Sequence, residues 1–164
     1  MNTSSNSSAQ IDPRGPRFGA AITSVLLLVT VALGLAAPLP SESLASRLSE
    51  PAFVLLAVLS AVFAWGAFAG VQRHPYGVLF KALIRPRLGA PEFLEETKPP
   101  TFAQLVGFLV SATGIVLHLA GVPYGLVLAA AAAFIAAFLN AVFGLCLGCE
   151  LYALLVRARI IRSA

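Results

Sequence analysis

The chain has 164 residues, 59% of them hydrophobic and only 11% charged, with a formal net charge of +4. A soluble domain carries about 25% charged residues, and a water-soluble fold of this length has no interior large enough to hide so much apolar surface. Composition therefore excludes a soluble enzyme and predicts an all-α integral membrane four-helix bundle. Nor does the positive charge predict a nucleic-acid partner. It flanks the apolar runs, with no Gly-rich phosphate loop and no interleaved basic and aromatic pattern, so the expected contact is with membrane lipid.

In chain order, "MNTSSNSSAQ" (1–10) is small and polar, and reads as a disordered tail. The first apolar run, 18–37, ends at "PLPSES", where Pro38 and Pro40 stop a helix. A cleaved secretory signal is the competing reading, but its apolar stretch would be longer than the usual 7 to 15 residues. A second span covers 51–71, with Ser49 as its cap and Pro51 in the first turn. The loop from Gln72 to Pro100 holds five prolines and eight of the eighteen charged residues, and "YGVLFKALI" within it predicts a short helix lying in the membrane interface.

The third span covers 102–122, and Thr101 and Gln104 have capping-box spacing at its start. "GVPYG" turns the chain into a last run, 124–156, which as one helix would be about 50 Å long. A bilayer core is about 30 Å thick, so this run must tilt, protrude or break, with Gly144 and Gly148 as the weak points. A basic tail, 158–164, follows.

Ten of the eleven Lys and Arg residues fall in the N-terminal segment, the second loop and the tail, whereas the first loop has only Arg47. The positive-inside rule then puts both termini in the cytoplasm. Ala133, Ala137, Ala141, Gly144 and Gly148 recur at spacings of three or four on the last run. That stripe suits close helix packing, within the bundle or in a homo-oligomer.

"GLCLGCELY" (144–152) holds the only two cysteines, Cys146 and Cys149, with Glu150 beside them. A reducing cytoplasm disfavours a permanent disulfide there, leaving two thiols or a transient redox state. No metal site is expected, since zinc needs four ligands and no second C-x-x-C or His pair is present. If the last helix is unbroken, its negative end and Glu150 keep the thiols inert. A break near Gly144 would instead start a new helix at Cys146, whose positive end favours a thiolate. Glu150, an acid among apolar residues, is then placed to take up a proton or to pair with Arg14, Arg17 or Arg87. His118 falls near the opposite end, and is expected to be interfacial.

Three stretches together, "IDPRGPRFGAAIT", "RPRLGAPEFLEETKPPTFAQLVG" and "LNAVFGLCLGCELY", resemble the bacterial membrane family catalogued as domain of unknown function 4395, over residues 11–157. The resemblance implies a small four-helix membrane protein associated with a thioredoxin-like or rhodanese-like sulfur protein. The matching positions are Asp12, Arg14, Arg17, Phe102, Gln104, Cys146, Cys149 and Glu150. The leading expectation is a dithiol or persulfide relay: Cys146 and Cys149 exchange with a cytoplasmic partner, Glu150 handles the proton, and Arg14, Arg17 and Gln104 stabilise charge or substrate. A quinone acceptor is compatible with a dithiol in lipid reach, although no residue pattern demands one. The rival is a noncatalytic membrane subunit or small-solute permease with structural cysteines.

Overall fold

Every backbone polar group inside a bilayer must be satisfied within its own segment, so the apolar runs fold as helices. The computed structural model describes residues 9–36 and 43–161. It shows α1 (Arg14–Ala36), α2 (Leu44–Ser49), α3 (Pro51–Phe68), α4 (Pro75–Leu79), α5 (Lys98–Leu119), α6 (Gly125–Phe143) and α7 (Leu147–Arg157). Helices α1, α3, α5 and α6, of 18 to 23 residues, are long and apolar enough to cross a membrane. Residues 1–8, most of "PLPSES", and 162–164 lie outside the described residues.

The four long helices alternate in direction, so the molecule has two ends. At one, hereafter the dithiol end, lie the start of α1, the segment after α3, the start of α5, and α7. At the other, the turn end, lie α2 and the 120–124 turn. The core between them is formed by Leu27 on α1, Ala52, Phe53, Leu56 and Leu59 on α3, and Leu126, Ala130 and Ala133 on α6. Helix α1 thus contributes Leu27 to the shared core. Small residues set the spacing, as expected where lipid is as apolar as the interior. A Cβ on Gly114 would come within 2.5 Å of Ala129. Ala133 of the predicted stripe is likewise used inside the bundle. The buried hydroxyls of Thr30 and Ser111 donate to carbonyls one turn back, at 2.9 Å and 2.8 Å.

Several boundaries differ from the expected ones. Ser49 ends α2 rather than capping α3: its hydroxyl donates to the Ser46 carbonyl at 2.9 Å, and Glu50 is the N-cap, with Pro51 following it. Thr101 and Gln104 form no capping box, because α5 already begins at Lys98 with Pro99 and Pro100 in its first turn. Proline loses nothing there, where its missing N–H would be unpaired anyway. Thr101 instead donates to the Thr97 carbonyl at 2.7 Å.

Gln10, expected in the disordered tail, belongs to a short strand β1 (Gln10–Ile11), antiparallel to β2 (Glu95–Glu96), with Gln10 opposite Glu96. The short helix in the long loop is α4, continued by a π turn over Phe80–Ile84 and a 3-10 turn over Arg85–Arg87. Phe80 is buried, its ring 5.9 Å from that of Phe18.

Candidate functional site

The last apolar run is broken. Helix α6 stops at Gly144, whose φ of 69° lies in the left-handed region, and its amide donates back to the Asn140 carbonyl at 3.1 Å. A glycine adopts that conformation without the steric penalty other residues meet. The chain re-enters helix at Leu147, with Cys146 as the N-cap of α7. Its Sγ accepts the Cys149 N–H at 3.2 Å, a role normally taken by a side-chain oxygen. The Cα atoms of Cys146 and Cys149 are 5.2 Å apart and the sulfurs lie at bonding distance, in the disulfide state.

Two contacts hold this break. Arg17 of α1 donates weakly to the Ala141 and Val142 carbonyls, at 3.4 Å each, covering carbonyls that the end of α6 leaves unpaired. Gly148 lies directly on α5: a Cβ there would be 2.5 Å from the Ala103 Cβ. Next to it the rings of Phe102 and Tyr152 meet at 5.6 Å. Phe102 therefore serves to seat α7.

The disulfide opens on a cavity of about 930 Å³ at the dithiol end of the bundle. It reaches from Gly15 to Thr23 along α1, a depth of about 12 Å at 1.5 Å per residue. Its mouth carries Asp12, Arg17, Lys81, Arg85 and Glu150, while its depth is lined by small residues such as Gly107, Ala133 and Ala137. A charged rim and an apolar interior distinguish it from the lipid-facing surface.

Among the lining residues, and among the described residues, two buried polar atoms make no well-formed hydrogen bond: Gln104 Oε1, and His74 Nε2, which has only a poorly aligned contact with the Val62 carbonyl. His74 is only 6% exposed. Its Nδ1 accepts the Tyr76 amide at 3.3 Å, making it the N-cap of α4, so the proton of the neutral ring is assigned to Nε2. Burial holds the ring below the ordinary histidine value, and the Val62 carbonyl offsets only part of this. His74 and Gln104 meet across Gly66. The His74 Cδ2 and the Gln104 Cδ each lie 2.9 Å from the point a Gly66 Cβ would occupy, so only glycine leaves room for both. Beside them burial raises the Tyr76 phenol, and the Thr23 hydroxyl partly counters it.

Of the site residues expected from sequence, Arg17, Gln104, Cys146, Cys149 and Glu150 all line the cavity. Glu150 is exposed in the first turn of α7, where a carboxylate suits the positive helix end. It pairs with none of Arg14, Arg17 or Arg87 among the described residues. Arg14 is turned elsewhere: its guanidinium is bonded to Asp12 at 2.8 Å and to the Gly89 carbonyl at 3.0 Å. That pairing holds the Asp12 carboxyl below the usual carboxylate range.

His118 is buried rather than interfacial, at the turn end, with Nε2 3.3 Å from Glu50 and its ring stacked on Phe53. His74 and Tyr76 are the residues sequence reading passed over. The signal was a histidine before proline, "HPYG", which suits a helix N-cap.

With this geometry in view, the comparison with known proteins is direct: a family model, Domain of unknown function (DUF4395), matches residues 11–157. The chain belongs to the DUF4395 family. The match runs from the strand β1 to the last residue of α7, so the DUF4395 domain includes the cavity, the helix break and both cysteines. No curated protein and no solved structure matches the chain.

Proposed function

We propose that this DUF4395 protein is a membrane thiol–disulfide relay, in which the Cys146–Cys149 couple alternates between disulfide and dithiol by exchange with a separate thioredoxin-like or rhodanese-like partner. The observation that carries this reading is the Gly144 break, which makes Cys146 the N-cap of α7 at the mouth of a cavity. The positive end of a helix and a directed N–H both favour negative charge on that sulfur. Cys146 is accordingly the attacking thiolate and Cys149 the resolving thiol. Glu150, one turn on, accepts the proton, and Arg17 keeps positive charge at the break. The same couple would serve as a persulfide carrier for a sulfur-transferring partner. The basic segments flanking the spans support a cytoplasmic location for this end, in a bacterial inner membrane.

The test is acid trapping in living cells, followed by alkylation and mass spectrometry before and after a mild oxidant. Two thiols that appear and disappear together support the relay. The Cys149→Ser variant is expected to accumulate a mixed disulfide through Cys146, and Cys146→Ser to accumulate at least tenfold less. Cysteines that never change state would leave the cavity to a small-solute permease or a noncatalytic subunit.

A further inference from the structure

The relay needs an oxidant or reductant on its membrane side, and the cavity has the chemistry to hold one. It is mostly apolar, of the size that takes a small-molecule ligand, and the dithiol stands at its mouth. Its wall holds a donor that the Val62 carbonyl engages only in poor geometry, His74 Nε2–H, and an unpaired acceptor, Gln104 Oε1, side by side across Gly66. An unmade hydrogen bond at a buried polar atom is unfavourable, so this wall favours a ligand that brings both an acceptor and a donor. A lipid acyl chain brings neither. A strongly polar solute would leave the small apolar residues of the interior without apolar contact.

We infer that the cavity binds a membrane quinone, its ring against His74 and Gln104, as the two-electron acceptor for the Cys146–Cys149 dithiol. This inference rests on the relay reading. A quinone carbonyl accepts from His74 Nε2–H, and the hydroxyl of the hydroquinone donates to Gln104 Oε1, so each redox state finds one partner in the wall. The reaction balances without further reagents. Two S–H bonds break and one S–S bond forms, releasing two electrons and two protons. The quinone takes up both electrons and both protons, and its two carbonyls become hydroxyls. The disulfide is then reduced by the partner's dithiol, which leaves as a disulfide. The dithiol and the polar wall share one element of α5: Ala103 carries Gly148, and Gln104 is the next residue.

The experiment uses the full chain reconstituted in lipid nanodiscs, with a benzoquinone bearing a single isoprene unit as the probe. Binding is measured by titration calorimetry, and thiol oxidation by anaerobic mixing with reduced protein, alkylation and mass spectrometry. The expected result is saturable binding, loss of two thiols per quinone reduced, and binding about tenfold weaker in His74→Phe and in Gln104→Leu, the size of effect one hydrogen bond gives. Unfolding midpoints confirm that each variant is folded, and either variant alone suffices.

No saturable binding, equal binding in both folded variants, or a co-purified acyl lipid that the quinone does not displace would overturn the inference. The relay reading fails differently. If the quinone binds to wild type and to the Cys146→Ser, Cys149→Ser double variant alike while neither cysteine of the wild type is ever oxidised, the quinone site stands as a binding site and its role as acceptor falls. If the cysteines exchange with a protein dithiol and no quinone binds, the relay stands and the quinone falls.

Discussion

The bundle buries one histidine near each end, and both are 6% exposed. His118, at the turn end, has its Nε2 held in a polar cluster. Its Nε2 lies 3.3 Å from both the Glu50 carboxylate and the Arg47 carbonyl, Phe53 stacks on its ring, and the Arg47 guanidinium donates to the Leu119 carbonyl at 2.9 Å. His74, at the dithiol end, has one nitrogen used as a helix cap, and the other makes no well-formed hydrogen bond. Equal burial thus hides opposite uses. A closed polar cluster ties α2, α3 and α5 together, whereas an open one leaves bonding capacity beside a cavity. What separates the two histidines is the account of their hydrogen bonds, rather than their exposure.

The contrast is sharpest in stability. His118→Ala removes the stacked ring and leaves Glu50 without this partner, and we expect a loss of about 2–3 kcal/mol, read as a lower unfolding midpoint in detergent, with unaltered trapping of Cys146 and Cys149. A large change in thiol reactivity with no loss of stability would break the comparison. At the dithiol end the strongest structural variant is Gly144→Ala. An alanine at φ 69° costs about 1–2 kcal/mol, and its relief is a continued helix that withdraws Cys146 from the N-cap. The expected readout is slower alkylation of reduced Cys146, by tenfold or more, at a modest cost in midpoint.

His74→Phe is the mildest. It loses a cap worth about 1 kcal/mol and removes a buried polar atom whose hydrogen bond is poorly made, of similar cost, so stability at pH 8 should stay within about 1 kcal/mol of wild type. Its pH dependence is more telling. The folded His74 titrates below its ordinary value of 6.5, so as pH falls through that value the unfolded chain binds a proton that the folded chain does not. Stability from this group is therefore present above pH 6.5 and lost below it. The wild-type midpoint should fall between pH 7 and pH 5 by more than that of His74→Phe, and equal slopes would mean that His74 is not neutral in the fold.

How much of this was legible depends on where each signal sits in the chain. The four spans and the charge asymmetry are continuous features, and lipid leaves the backbone no choice but helix, so they read directly. The break was foreshadowed by excess length and marked by Gly144. The caps at Ser49 and Thr101 failed for one reason: proline is tolerated inside a first turn, so a Pro near a helix start leaves its exact beginning open by several residues. The His74–Gln104 pair was hidden because its members are thirty positions apart. They meet only after residues 71–80 fold back onto α3 at Gly66, and no local pattern encodes that return. The pairing of Arg14 went unread for the opposite reason, since its partner Asp12 is too close in sequence to look like a destination.

The two-residue ribbon of β1 and β2 has a wider reach than its size suggests. Together with the Thr97 amide on the Ala9 carbonyl and the Arg14 guanidinium on Gly89, it fastens the first described residues to the far side of the long loop. Gln10, Ile11, Glu95 and Glu96 all stand at the cavity, so part of its rim is a clasp between two segments more than eighty positions apart. Whatever unpairs that clasp acts on the doorway.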